Sequence, residues 1–423
     1  MKLKPGTPLA VSFEFLPGDA VAVGRLALER GTALFEYVPG FAGPELAPSS
    51  FFPPPTGELI SARAPRDFRG LHGVFAHSLP DAWGLALMRR RAEKLDVQFD
   101  SLTALDILAI IGRRGAGALI YEPEIRANDS DDRAIDLDAI AQDATAAADD
   151  DEVADIDQLA RLGGPSGGAR PKLLIGMDAS GKIIAGDRDL PPGYEHWIVK
   201  FRSKKHDVPE IGAIEAAYAD MARAAGLDVS PTRLLRGKSD TYFATQRFDR
   251  LSHNGRLHML SAASLLEIDW DSPGVSYDNL LRLALHVTRD HQAVEMTFRR
   301  MIFNVLAHNR DDHANQHAFL MTRNGEWHLA PSFDLTYSFG YNNEHYLDVG
   351  GRGGDDIALG DFEKLAKAHD ISNGRLATIF GEVSDAVGRF RSFASSYSLG
   401  TKSTADIDKE LQRGLTRLSK PRA

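Results

Sequence analysis

Residues 304–319 read NVLAHNRDDHANQHAF and gather three histidines, two aspartates, three asparagines and an arginine into one short stretch. Asp311 and Gln316 stand five apart. That is the spacing at which a phosphoryl-transfer loop sets a proton-accepting carboxylate and an amide that holds Mg²⁺. The next residues, AFLMTRNGEWHLA, predict a β-hairpin around Asn324-Gly325, and the hairpin leads into APSFDL. Asp334 therefore falls where a second metal carboxylate belongs. Two carboxylates and an amide suit a hard cation carrying nucleotide phosphates, because Mg²⁺ keeps its waters and takes few protein ligands.

The same residues support two other readings. His308, His313 and His317 could hold a transition metal, and on a helix His313 and His317 would share a face; no Glu follows the first of them as a zincin pattern requires. Alternatively the stretch is a polar turn whose side chains cap backbone groups. Both stay open on these residues alone.

A second group lies upstream. The stretch LGGPSGGARPK carries Gly163, Gly164, Gly167 and Gly168 ahead of Lys172, with Ser166 its one hydroxyl. Glycine lets backbone amides approach an anion and cradle phosphates, although glycines beside a proline also make plain loops. Lys200 follows in WIVKF, an apolar strand, and the next helix supplies Glu215. A strand lysine matched with a helix glutamate is how kinases hold the α- and β-phosphates of ATP. The competing reading makes Lys200 an edge-strand lysine that reaches to solvent.

The elements that must position these groups follow from periodicity. Alternation in AVSFEF and TALFEYV predicts short strands near the N-terminus. Helices are predicted after Pro80-Asp81 and over SLTALDILAIIGRR, the latter capped by Ser101. Residues 1–122 thus form an α+β subdomain. The stretch 123–158 is acidic and Ala-rich and predicts a solvated linker, with room for one helix. Residues 159–260 predict a β-rich lobe that contains the helix EIGAIEAAYADMARAAGL, ended by Gly226, and residues 261–423 a mainly helical lobe. The fold class expected is α+β.

Composition narrows the function. The 423 residues carry 49 Lys and Arg against 59 Asp and Glu, a net charge of −10, which argues against tight binding to nucleic-acid phosphates by this chain alone. With no cysteine, neither disulfides nor thiolate zinc sites are available. Prolines and a glycine break the N-terminal stretch before signal-peptide length, and no apolar run approaches 18 residues. A cytoplasmic protein without membrane contact is expected.

In order along the chain, FAHSLPDAWGLALMRRR, ALDILAIIGRRGAGAL, GGARPK, HWIVKF, QRFDR, NRDDH and APSFDL resemble the motifs of HipA-type serine/threonine kinases, the toxins of bacterial toxin–antitoxin pairs. The resemblance covers nearly the whole chain and implies an N-terminal subdomain followed by a protein-kinase-like bilobal fold. By it Asp311 is the catalytic base and His313 shapes its loop. Gln316 and Asp334 hold Mg²⁺, and Lys200 with the loop from Gly163 to Lys172 binds ATP. Such kinases phosphorylate a serine on a protein, aminoacyl-tRNA synthetases in known members, and stop translation. A small helix-turn-helix antitoxin of HipB type neutralises them and carries the pair to operator DNA, so DNA would be met only through that partner.

Two departures stand out. Where the family reads Asp-Asp-His-x-Lys-Asn, this chain has DDHANQ, with Asn315 for the lysine and Gln316 for the metal asparagine. The family's autophosphorylated loop serine aligns with Pro165, which leaves Ser166 as the regulatory phosphosite expected here. The alternatives carried forward are a pseudokinase that binds nucleotide or antitoxin without transfer, and a metal-dependent hydrolase.

Overall fold

The computed structural model describes all residues except 1, 5, 42–45, 64–67, 126–133, 165–169, 206, 239, 273 and 420–423. The chain forms two compact units: residues 1–209, 235–269 and 320–326 in the first, 210–234, 270–319 and 327–423 in the second.

The first unit opens with strands β1 (Leu9–Leu16), β2 (Asp19–Glu29), β3 (Thr32–Tyr37) and β4 (Ile60–Ser61). Helices α1 (Gly73–Ala76), α2 (Ala82–Lys94) and α3 (Ala104–Ile111) follow, then β5 (Leu119–Glu122). The strands make an antiparallel sheet in the order β4-β3-β2-β1-β5. Alternation sets its inner face, since Leu9, Val11, Phe13 and Phe15 of β1 are all buried. Asp81 caps α2 by accepting Gly84 N at 2.7 Å. Helix α3 starts two residues later than its sequence suggests: Thr103, not Ser101, is the cap, in a reciprocal capping box with Asp106.

Helices α4 (Leu137–Ala148) and α5 (Ile156–Leu162) occupy the stretch expected to be linker. Their faces of Ile140, Ala141, Ala144, Ala147, Ile156 and Leu159 pack into one core with Trp83, Leu87, Leu173, Ile175, Trp197 and Val199. The linker expectation is thus corrected: α4 buries a mainly alanine face and α5 an aliphatic one, and Asp149, 4% exposed, accepts the Ser203 hydroxyl at 2.9 Å. Strands β6 (Lys172–Asp178), β7 (Ile183–Ala185) and β8 (Tyr194–Lys200) follow. Asp178 Oδ1 accepts Ser180 N and Lys182 N, each at 2.9 Å, and so makes the β6–β7 turn.

Helix α6 (Ile211–Ala224) belongs to the second unit, although its sequence lies inside the β-rich lobe. It ends at Gly226, whose φ of +77° favours glycine. Strands β9 (Thr232–Arg236) and β10 (Thr241–Gln246) complete a five-stranded sheet in the order β7-β6-β8-β10-β9. Strand β11 (His258–Ser261) and helix α7 (Ala262–Leu266) close this part of the chain.

The second unit is helical: α8 (Tyr277–Thr288), α9 (His291–Leu306), α10 (Leu359–Ala368), α11 (Asn373–Gly388), α12 (Phe390–Ser396) and α13 (Thr401–Leu418). In the chain between α9 and α10 runs the predicted hairpin, β12 (Ala318–Met321) and β13 (Trp327–Leu329), whose residues 320–326 are counted with the first unit. Its turn closes with Thr322 N donating to Glu326 O at 2.9 Å, and Gly325 at φ +82° supplies the left-handed residue such a turn demands. Among the described residues no helix is long and apolar enough to cross a membrane.

Candidate active site

Helix α9 is capped by Asp290, which accepts Gln292 N at 2.8 Å, and its residues from Thr297 to Leu306 are buried. The chain leaves it through His308 at φ +52°, with Asn309 N returning to Asn304 O at 2.9 Å. What fixes the following loop is Asp312, fully buried at 0% exposure. Tyr277 donates its hydroxyl to Asp312 Oδ2 at 2.6 Å, Tyr346 N donates to Oδ1 at 2.9 Å, and His345 Nδ1 lies 2.9 Å from Oδ2. A buried chain continues behind it, with Asn304 Nδ2 donating to Tyr277 Oη at 2.9 Å and Asn309 Nδ2 to Asn304 Oδ1 at 3.0 Å. Burial alone would raise the Asp312 pKa, but the charge and hydrogen bond of His345 and the hydrogen bond from Tyr277 hold it below the ordinary carboxylate value. Burial likewise pushes His317 down to about 3, so its ring is neutral; Nε2 lies 3.3 Å from Asp312 O.

This network was not anticipated from the motif. Two adjacent aspartates look alike in sequence, and only the fold shows that Asp312 turns inward while the Asp311 side chain remains 46% exposed. His313 Nε2 lies 3.8 Å from Asp311 Oδ1. The His313 ring meets Trp270 edge-on at 4.8 Å and Tyr346 at 5.6 Å, so its position beside Asp311 is set by aromatic packing.

Gln316 and Asp334, placed on the two sides of the hairpin, come together: Gln316 Nε2 donates to Asp334 Oδ2 at 2.8 Å. Asp334 adopts φ +57°, an uncommon conformation for a non-glycine residue and one that collects at functional sites. The donor set fits Mg²⁺. Neighbouring ligands of an octahedral ion with bonds of 2.0–2.1 Å lie about 2.9 Å apart, and rotation of the Gln316 amide would bring its oxygen to this edge.

The histidine alternative finds no such convergence. His308 Nδ1 lies 3.2 Å from Ser338 O with its ring on Tyr337, His313 packs on Trp270, and His317 is turned into the core. Among the described residues no three His, Asp or Glu side chains are grouped to hold a metal.

The nucleotide candidates divide. Lys200 lies on β8, the central strand of its sheet, opposite Lys172 on β6 and Phe243 on β10, which removes the edge-strand reading. Its ammonium sits 5.7 Å from the Phe243 ring centroid. Lys172 is only 3% exposed and pairs with Asp81 at 3.3 Å, while Trp83 Nε1 donates to its carbonyl at 2.9 Å. Its ammonium serves the α2 junction through Asp81, the cap of that helix. Gly163 and Gly164 have packing reasons of their own, since a Cβ would stand 2.3 Å from Leu87 Cδ1 at the first and 2.8 Å from Leu174 Cδ1 at the second. Glu215 is buried on α6 at 3% exposure. The expected contacts of Ser166, Gly167 and Gly168 lie outside the described residues.

The HipA N-terminal domain matches residues 18–122, and the HipA-like C-terminal domain matches residues 165–390, more than half of the chain. The chain belongs to the HipA family. Its fold is similar to HipA of the Shewanella oneidensis MR-1 toxin–antitoxin system, solved in complex with HipB and its operator DNA, at 17% identity over 96% of each chain and a TM-score of 0.68. The Helicobacter pylori proinflammatory kinase CtkA is a slighter match, 17% identical over 54% of this chain and 89% of that one, with a TM-score of 0.36 that carries no argument. No curated protein matches the sequence. Two sequence expectations are borne out here: membership of the HipA family, and an α+β fold with a HipA-type N-terminal domain.

Proposed function

We propose that this HipA-family chain is an ATP- and Mg²⁺-dependent protein serine/threonine kinase acting as the toxin of a toxin–antitoxin pair. The observation that carries the reading is the meeting of Gln316, five residues after Asp311, with Asp334 at 2.8 Å across the hairpin. In this reading Asp311 accepts the proton of an incoming serine hydroxyl, and its half-exposed carboxylate is open to one. His313 fixes the loop through its aromatic neighbours, and Lys200 meets the nucleotide phosphates. Gln316 and Asp334 would hold Mg²⁺, which when bound offsets phosphate charge.

The proposed partners follow from the family and from charge. A HipB-like helix-turn-helix antitoxin is supported by the Shewanella relative, which was solved with HipB and operator DNA. A chain of net charge −10 would reach DNA through such a basic partner. The proposed target is a protein such as an aminoacyl-tRNA synthetase, modified in the cytoplasm so that translation stops. Ser166 is proposed as the regulatory phosphosite, because a phosphate there would repel the nucleotide's own phosphates.

A second reading, a pseudokinase, draws on the same contact. The Asn315-Gln316 departure from the family's motif favours it, and Gln316 Nε2 donates to Asp334 Oδ2 at 2.8 Å. Titration calorimetry with ATP and Mg²⁺, followed by phosphoamino-acid analysis after incubation with γ-labelled ATP and cell extract, separates the two. Phosphoserine supports the kinase, and binding without transfer supports the pseudokinase.

A further inference from the structure

Asp311 lies between two residues that grip the same downstream segment. On one side Asp312 holds His345 and Tyr346. On the other, Arg310, 3% exposed, donates to Asn343 O and from Nη2 to Asp355 Oδ1 at 2.6 Å. A buried guanidinium needs such partners, since leaving it unpaired is costly. Asp355 has two further cationic neighbours, both on α13: Arg413 Nη2 pairs with its Oδ2, and Arg417 Nη1 donates to its carbonyl and to Ile357 O at 3.0 Å. Tyr218 of α6 adds an independent tie at the root of the loop, donating to Ala307 O at 2.7 Å. The catalytic loop is therefore braced on one side by a core network and on the other by a carboxylate held from a helix about a hundred residues downstream.

We propose that Asp355 is a positioning residue for Asp311, acting through Arg310, and that Arg413 and Arg417 make α13 part of the same clamp. The inference rests on the kinase reading for its consequence in activity. Protein kinases commonly order this kind of segment by phosphorylating it, so that a phosphate pairs with arginines. Here a carboxylate built into the sequence occupies the arginine cluster, and the loop is set without modification. Anything that draws α13 away, a binding partner included, would loosen Arg310 and with it the base. Loss of a positioning contact should act on turnover: a misplacement of about 1 Å at the reacting centre can cost about a hundredfold.

The test combines hydrogen exchange with kinetics on the full chain, for wild type, Asp355→Asn, Asp355→Glu and the double variant Arg413→Ala/Arg417→Ala. Faster exchange of amides 309–316 is expected in Asp355→Asn and in the double variant. A kcat about tenfold or more below wild type should accompany it, with the KM for ATP within about twofold and partial recovery in Asp355→Glu. Unchanged exchange in both Asp355→Asn and the double variant overturns the clamp, whatever the activity. The double variant keeps the test valid if Asp355→Asn fails to fold, because its changes lie on α13. A wild type that transfers no phosphoryl group while these amides loosen in the variants overturns the kinase reading and leaves the clamp standing.

Discussion

The amide of Gln316 reaches Asp334 Oδ2 across 2.8 Å although the two residues are 18 positions apart. The Gln316 side chain spans the gap, and we expect the pair to depend on its length. Gln316→Asn, one methylene shorter, should therefore raise the Mg²⁺ concentration for half-maximal transfer by about tenfold, the scale on which metal sites respond to lost support. Gln316→Ala should raise it further. Magnesium titrations of transfer rate check this, and a lower requirement in Gln316→Asn would show that the extra methylene is a burden.

The two cross-strand lysines should separate in their effects. Lys200→Met is expected to raise the KM for ATP by about tenfold or more, through the loss of charge-assisted contacts to phosphate. Lys172→Met leaves Asp81 without the ammonium now 3.3 Å away in a buried setting, and should lower stability by about 3–5 kcal/mol. Urea unfolding read beside ATP titration tells them apart. A Lys172→Met protein of unchanged stability and weakened ATP binding would return Lys172 to the nucleotide site.

Asp312→Ala should cost about 3–5 kcal/mol, because it strips Tyr277, His345 and the Tyr346 amide of a shared buried acceptor. The pH dependence has a definite sign. A carboxyl held below its ordinary value in the fold contributes stability above the ordinary pKa, about 3.9, and loses it as pH falls further. Acid unfolding of wild type and variant should therefore converge at low pH. A constant gap between the two curves would rule out the charged network.

Two buried histidines make a second acid-sensitive element, one in each compact unit. Burial lowers both His258 and His317 to about 3, so each stays neutral in the fold while its unfolded counterpart takes a proton near pH 6.5. Their stabilising contribution is complete above about 6.5 and declines as pH falls from there toward 3. Thermal unfolding should show a lower Tm at pH 5.5 than at pH 7.5. Replacement of either ring by glutamine should reduce that difference, and an unaltered difference in both variants would contradict the assignment.

The parts of the site legible in the sequence were those fixed by spacing. Asp311, Gln316, the Asn324-Gly325 turn and Asp334 are local landmarks, and a hairpin of that length can return the chain to only a narrow range of places. Asp312 was not legible, because its importance depends on Tyr277 and His345, each more than thirty positions away. The helices at 137–148 and 156–162 were hidden by composition: alanine buries well yet signals weakly beside a run of aspartates. Lys172 and Lys200 were alike as strand-terminal lysines until Asp81 appeared beside the first. The placement of α6 with the helical unit followed from its packing on α11 and α12, long-range contacts that periodicity does not reveal.

The most direct test of the kinase reading compares wild type with Asp311→Asn in Mg²⁺-dependent transfer from γ-labelled ATP to protein in a cell extract. Because the Asp311 side chain is 46% exposed and asparagine keeps its shape, the variant should fold and bind ATP as wild type does. The prediction is phosphoserine formed by wild type and a rate lower by about 10²-fold or more in Asp311→Asn, the loss expected for a positioned base. Retention of more than about a tenth of the wild-type rate, or ATP binding without any transfer in wild type, would contradict it.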